Sequence, residues 1–199
     1  SGLSELEVAR ALEEEMLKAG AEGVAFEILV ASGPNSALPH HRAGKRRIEP
    51  GDVVILDFGC RVDGYCSDIT RTVVCGEPPD RVRRLYEIVL TAQRRAVEAI
   101  RPGIAAQEVD RAARGAIALA GYAGHFIHRT GHGIGLNVHE EPYIVEGNTL
   151  PLEEGMTFSV EPGIYFRGEF GFRVEDVVVV TKEGSESLNR CPRTLRRVS

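Results

Sequence analysis

Residues 48–59, IEPGDVVILDFG, return 104 positions later as LEEGMTFSVEPG at residues 152–163, and each copy carries a carboxylate at the same place, Asp57 in the first and Glu161 in the second. Working outward, residues 2–23 lie on residues 103–124 without a gap at an offset of 101, where Gly2, Glu7, Val8, Arg10, Ala11, Ala19, Gly20 and Gly23 all meet identical residues. Toward the C-terminus the offset grows to 107, placing Gly64 on Gly171 and Asp68 on Glu175. Offsets that drift by small insertions are what a duplicated unit leaves behind. Each half therefore brings two carboxylates at equivalent positions.

The local patterns in the two halves agree with that reading. Ser4 to Ala19 predicts an amphipathic helix, capped by the S-x-x-E box of Ser4 and Glu7 and stopped by Gly20. Phe26 to Ala31 predicts a strand, followed by the turn-rich loop SGPNSALPHHRAGKRR. Val53–Gly59 and Tyr65–Val74 predict two strands joined by Arg61-Val62-Asp63-Gly64, a hairpin turn. Arg81 to Ile100 and Ala106 to Leu119 predict a long and a short helix, and Met156–Phe166 and Phe172–Thr181 predict further strands. The expected fold is α+β: one domain over residues 1–199, with halves at about 1–76 and 102–199 joined by a helix at 80–101. The two pseudo-symmetric halves would share a curved antiparallel sheet backed by helices. The same symmetry predicts a helix of roughly twenty residues before Ser1, so the chain reads as a piece of a longer protein.

Composition narrows the chemistry. With 199 residues, 43% apolar and 27% charged, the chain is neither disordered nor fibrous. A net charge of −5 argues against nucleic acid held on a basic face. Apolar runs such as Val177–Val180 fall far short of the ~20 residues of a membrane span. Cys60, Cys66, Cys75 and Cys191 form no CxxC and no zinc-finger spacing, and the N-terminus has no export pattern, so reduced thiols in a cytoplasmic protein are expected. Arg81–Arg84 and Arg193–Arg197 read as solvated faces.

Asp57 ends an apolar strand and Glu175 precedes VVVV, positions where an unpaired carboxylate is costly to desolvate. If the hairpin carrying Asp57 and Asp68 faces the one carrying Glu161 and Glu175, four acids share one point and require cations, and oxygen donors suit hard divalent metals. His132, between glycines in TGHGIG, adds an imidazole, while His40 and His139 lie in neighbouring loops. His41, His125 and His128 read as solvated turn residues. One imidazole with four carboxylates fits a pair of Mn²⁺, Co²⁺, Fe²⁺ or Zn²⁺ ions about 3–4 Å apart sharing a bridging water, and hydrolysis follows.

At this point ILDFG (55–59), SDITRT (67–72), TGHGIG (130–135), VEPGIY (160–165) and FRVED (172–176) resemble, in order and spacing, the ligand motifs of the pita-bread metallopeptidases, the superfamily of methionine aminopeptidase, aminopeptidase P and prolidase. The resemblance runs from about residue 4 to residue 190. It implies a pita-bread fold and two divalent ions, manganese foremost, with Co, Fe or Zn as alternatives. It implies metal ligands at Asp57, Asp68, His132, Glu161 and Glu175, with Glu161 also the general base for a metal-bridging hydroxide. His40 and His139 match substrate-contacting histidines that stabilise the intermediate, and Arg173 matches an arginine of the proline-specific branches. The stretches ASGPNSALPHH, HEEP and EPGIY resemble those branches, which release an N-terminal residue from Xaa-Pro dipeptides or peptides. Methionine aminopeptidase, or a non-catalytic domain that binds peptides or proteins, are the alternatives. Prolidases place a basic residue between the sites of His139 and Glu161 to hold the dipeptide carboxylate. The segment EEPYIVEGNTLPLEEGMTFSV has none, leaving Arg167 or Arg173 for that part. The resemblance further implies an N-terminal domain and a homodimer in the full-length protein.

Overall fold

The computed structural model describes all 199 residues. The first half runs α1 (Glu5–Lys18), β1 (Gly23–Val24), β2 (Leu29–Ser32), β3 (Val53–Phe58), β4 (Cys60–Val62), β5 (Tyr65–Cys66) and β6 (Ile69–Cys75). Two helices follow, α2 (Asp80–Ala99) and α3 (Ala106–Leu119). The second half adds β7 (Gly131–Gly133), β8 (Glu140–Ile144), β9 (Thr157–Val160), β10 (Gly163–Phe166), β11 (Phe170–Arg173), β12 (Glu175–Val180), β13 (Ser185–Ser187) and β14 (Arg196–Val198). This is the expected α+β class, and no helix is long and apolar enough to cross a membrane.

The main sheet orders its strands β2-β3-β6-β12-β9-β7-β8, with β13 beside β12 and β14 beside β6. Its first six strands form a palindrome: β2, β3 and β6 from one half mirror β7, β9 and β12 from the other. The seam between β6 and β12 contains only the pairs Thr70–Glu175 and Ile69–Asp176. Ile69 and Asp176 are 107 positions apart, the offset that relates Asp68 to Glu175, so this pair sits on the pseudo-twofold axis. Outside the main sheet, β4 and β5 form a hairpin with β1, and β10 and β11 form its counterpart ribbon.

Helix α1 starts where its capping box predicts: the Glu7 amide donates to Ser4 Oγ (3.2 Å) and the Ser4 amide to the Glu7 carboxylate (2.7 Å). The Asp63-Gly64 turn forms with both residues at positive φ, 50° and 79°. Three strands predicted as continuous are interrupted or shortened. Tyr65–Val74 divides around Ser67, opposite Gly59, where an added Cβ would lie 1.9 Å from the Ser67 carbonyl oxygen. Phe172–Thr181 divides at Val174, and Phe26–Ala31 is strand only from Leu29.

Apolar side chains on alternate strand positions face the helices. Val30 and Val54 pack with Ala9 of α1, while Phe158, Val160, Val178 and Val180 join Val89, Leu90, Val109 and Ile117 in the core against α2 and α3. The intervening positions face away from the helices. That alternation separates the adjacent acids Glu175 and Asp176. Asp176 turns inward, where Arg71 Nη2 donates to its carboxylate at 2.7 Å, Gln93 Nε2 of α2 at 3.3 Å, and Arg193 Nε completes the set. Arg71 also donates to the carbonyls of Thr70, Glu175, Cys191 and Pro192. Arg193 is therefore not part of a solvated face, and Arg196–Val198 pairs in parallel with β6. Arg81 and Arg83 do lie on an exposed face, as read, in ion pairs with Glu169 and Glu77.

Truncating one partner of a buried pair leaves the other charge uncompensated, at a cost of about 3–5 kcal/mol. Asp176→Ala is expected to lower unfolding free energy by about that much, read as a lower urea midpoint at unchanged slope.

Candidate metal centre

The site is a row across the sheet. Asp57 on β3 lies directly opposite Thr70 on β6, and Thr70 lies opposite Glu175 on β12. Val177 lies opposite Ser159, so continuing that register brings Glu161, just past β9, beside Glu175. Directly opposed residues in antiparallel strands share a face. One row thus collects Asp57, Glu175 and Glu161 on the side away from the helices, and Asp68, two residues before Thr70, joins them.

His132 enters from β7, held by its flanking glycines. A Cβ on Gly131 would lie 1.8 Å from the Ser159 carbonyl oxygen, and one on Gly133 2.2 Å from that of Glu141. Only glycine admits such close strand approach. The His132 amide donates to Ser159 Oγ at 3.1 Å. Its Nε2 lies 3.7 Å from Asp68 Oδ2 and 3.5 Å from Glu161 Oε1. Donor atoms of Asp68, His132 and Glu175 all fall within 4.8 Å of one another.

All eight residues singled out from the sequence line one cavity of about 670 Å³: Asp57, Asp68, His132, Glu161 and Glu175 on its floor, with His40, His139 and Arg173 around them. His40 and His139 are exposed, and the His139 ring stands 4.2 Å from that of His132, centroid to centroid. Arg173 is buried, and its donors are taken up inside the protein: Nη2 to Asp57 Oδ2 (2.5 Å), Nε to Thr70 Oγ1 (3.1 Å), and Nη1 to Tyr165 Oη and the Pro39 carbonyl (3.1 Å each). Thr70 Oγ1 in turn donates to Glu175 Oε2 at 2.5 Å.

Electrostatically the floor is overloaded with negative charge. Burial, then the charges of Asp57 and Glu161, raise the Asp68 carboxyl well above its usual range. Burial and the charges of Asp68, Glu161 and Asp57 do the same to Glu175. Burial pushes Glu161 up to about 7, against the opposing charges of Arg173 and Arg129. Burial lowers His132 to about 4, so its imidazole is neutral and free to donate a lone pair. Asp57 Oδ1 and Asp68 Oδ1 are buried without any hydrogen-bond partner. Crowded carboxylates, two unsatisfied oxygens and a neutral imidazole are a donor set that divalent cations fit.

All three histidines read as solvated turn residues depart from that reading. His125 is half-buried, with Nδ1 3.0 Å from the Tyr165 carbonyl oxygen and its ring 4.4 Å from that of Phe166, centroid to centroid. His128 lines the cavity rather than a solvated turn, with Nε2 2.9 Å from Tyr165 Oη and Nδ1 2.8 Å from the Arg129 carbonyl oxygen. Burial, then the charge of Arg173, lowers it to about 3. Nothing in the sequence marked it out, since its side-chain partner Tyr165 lies 37 positions away. His41 Nε2 lies 2.8 Å from Glu5 Oε2. Glu5, fully buried on α1, also accepts from the Ser32 amide and hydroxyl, Asn35 Nδ2 and the Gly44 amide, pinning the loop that carries His40. Burial alone would raise the Glu5 carboxyl, but bonds from Asn35, His41 and Ser32 outweigh it and hold it low. A buried glutamate in the first helical turn gave no sign in the sequence of its partners more than 25 residues away.

The family model of Metallopeptidase family M24 matches residues 1–182. The chain is 52% identical over 195 residues to a probable dipeptidase PepE of Mycobacterium tuberculosis, covering 98% of this chain and 52% of that protein. It is 48% identical over 194 residues to an Xaa-Pro dipeptidase of Pyrococcus furiosus, covering 98% of this chain and 56% of that protein. Among solved structures, a recombinant prolidase from Thermococcus sibiricus superposes with a TM-score of 0.97 at 50% identity, covering 100% of this chain and 54% of that one. The chain spans about half the length of the curated relatives it matches.

The raised Glu161 carboxyl has a definite consequence for stability. Without metal the folded state holds this proton up to about pH 7, against an ordinary value of 4.5. Its contribution is full below the ordinary value and is lost as pH rises from 4.5 to 7. Urea unfolding of metal-free protein is expected to show wild type losing stability relative to Glu161→Gln across that window. A saturating divalent cation, which requires ionised ligands, is expected to reverse the sign.

Proposed function

The chain belongs to metallopeptidase family M24, and from that premise we propose that it is the catalytic part of an enzyme releasing the N-terminal residue from Xaa-Pro dipeptides or peptides. The observation that carries the proposal is the meeting, in one cavity, of carboxylates from both halves of the chain with a neutral imidazole. Asp57, Asp68, His132, Glu161 and Glu175 would hold two divalent ions, manganese foremost. Such ions, when bound, lower the pKa of water and polarise the scissile carbonyl.

The protein's own groups do the rest. Glu161, ionised when the ions are bound, would take the proton of the attacking water and return it to the departing proline nitrogen. Arg173 fixes Asp57, and Thr70 fixes Glu175, so that neither carboxylate swings out of the row. His40 and His139, at the cavity mouth, donate hydrogen bonds to the peptide and to the oxygen that gains charge. The acidic floor suits a free terminal amine, which explains cleavage at the first peptide bond. Phe26, Ile28, Leu29 and Val138 supply an apolar wall for the first side chain and the proline ring. The four unpaired thiols support a cytoplasmic setting, and we place peptides, rather than nucleic acid or membrane, as the partner of this site, in a homodimer of the full-length protein.

The full-length protein is expected to cleave Ala-Pro and Ala-Pro-Ala with higher kcat/KM than Met-Ala-Ser. Preference for the methionyl peptide would overturn the proline assignment. Chelation is expected to abolish turnover and Mn²⁺ to restore it. Glu161→Gln is expected to lower kcat by about 10²–10⁴-fold, the scale of a general base.

A further inference from the structure

Resting on the reading of Asp68 as a metal ligand, we propose that Asn189 is a positioning residue of the metal centre, its side-chain amide replacing a missing rung of the sheet and setting where Asp68 sits. The seam between β6 and β12 ends after the pairs Thr70–Glu175 and Ile69–Asp176. The same register would next set Asp68 opposite Val177, but no backbone pairing joins those two. The Asn189 side chain lies between them instead. Its Oδ1 accepts from the Val177 amide at 2.6 Å, and its Nδ2 donates to the Asp68 carbonyl at 3.1 Å. The Val177 carbonyl is taken by the Leu188 amide at 2.9 Å. Asp68 itself lies outside β6, and no backbone amide donates to its carbonyl.

A carboxamide suits that gap because it presents an acceptor and a donor side by side, as a peptide group does. Asn189 is in turn held from both sides along its own chain. Ser187 Oγ donates to the Asn189 carbonyl at 3.2 Å, and Arg71 donates to the carbonyls of Cys191 (2.7 Å) and Pro192 (3.1 Å) just beyond it. Arg71 Nη1 also joins the carbonyls of Thr70 (2.9 Å) and Glu175 (2.6 Å). The two-rung seam is thus stitched by side chains at both ends, by Arg71 at one and by Asn189 at the other. Asn189 lies beyond residues 1–182, the stretch that the family model matches. A spacer between the strand ends that carry Asp68 and Glu175 fixes how far apart those two acids stand. Their donor atoms fall within 4.8 Å of each other and of His132, and Asp68 Oδ1 is buried without a hydrogen-bond partner. Where the Asp68 backbone is held therefore decides where that oxygen meets an ion.

The test measures Mn²⁺ affinity by calorimetry on metal-free full-length protein, with the visible spectrum of the Co²⁺-loaded form as a second reading. Asn189→Leu keeps the volume and removes both polar atoms, whereas Asn189→Ala removes them together with the volume. Both are expected to weaken Mn²⁺ binding by about 10–100-fold, the scale for a group that holds a ligand in place, and to shift the Co²⁺ bands that report ligand geometry. Asn189→Gln, which keeps the amide, is expected to recover part of the affinity. A role confined to stability would lower the urea midpoint of the metal-free protein and leave Mn²⁺ affinity and Co²⁺ spectrum at their wild-type values. That result overturns the proposal and leaves the ligand reading intact. Should Asn189→Leu fail to fold, Asn189→Ala decides by the same two readings. An Asp68→Asn protein that binds Mn²⁺ as wild type does overturns the ligand reading, and the positioning role with it.

Discussion

Carboxylates that would repel one another in the absence of a cation share a buried floor, and the rest of the molecule is arranged around keeping them there. Four come from adjacent strands of the sheet or the residues just beyond their ends, two from each half. Their placement requires no special loop. For Asp57, Glu175 and Glu161 it follows from register, since residues paired across antiparallel strands share a face. What the fold must add is restraint, because crowded like charges favour any motion that separates them. Arg173 and Thr70 supply it on the cavity side, and Arg71 with Asp176 supplies it from behind. The adjacent residues Glu175 and Asp176 show how little sequence this takes. One acid faces the site, the next faces the core, and pleat alternation assigns them.

Much of this was legible in the chain before any coordinate. The repeat announced two halves, the carboxylates fell at equivalent positions in each, and the glycines around His132 signalled close approach. Helix α1 could be placed to its cap. The parts that escaped reading share a cause: they depend on partners distant in sequence. His128 looked like a turn residue because its contacts, Tyr165 and the cavity, lie on the far ribbon. Arg193 looked like a solvated tail because Asp176 is hidden in the core. Glu5 looked like a helix-start glutamate, yet it holds the loop on which His40 stands. The strand break at Ser67 was equally invisible, since it arises where the Gly59 and Ser67 backbones come close.

Arg173 illustrates how geometry refines a residue's part. From the motif it is an arginine of a substrate site. In the fold it is an internal brace whose donors are already spent on protein acceptors. A free cation and a committed one are indistinguishable in a sequence, and only the acceptors gathered around Arg173 show which it is.

The clamp on the symmetry axis carries a consequence for how such a molecule could arise. In an assembly of two identical half-chains, positions 69 and 176 would be one and the same residue facing its own copy. Two aspartates there would repel, and two isoleucines would leave Arg71 without a counter-charge. The present arrangement of Ile69 opposite Asp176 breaks that equivalence. It is open to halves that differ in sequence at this position, so the charge at the centre of the seam comes from one side alone and Arg71 answers it without a second aspartate to repel.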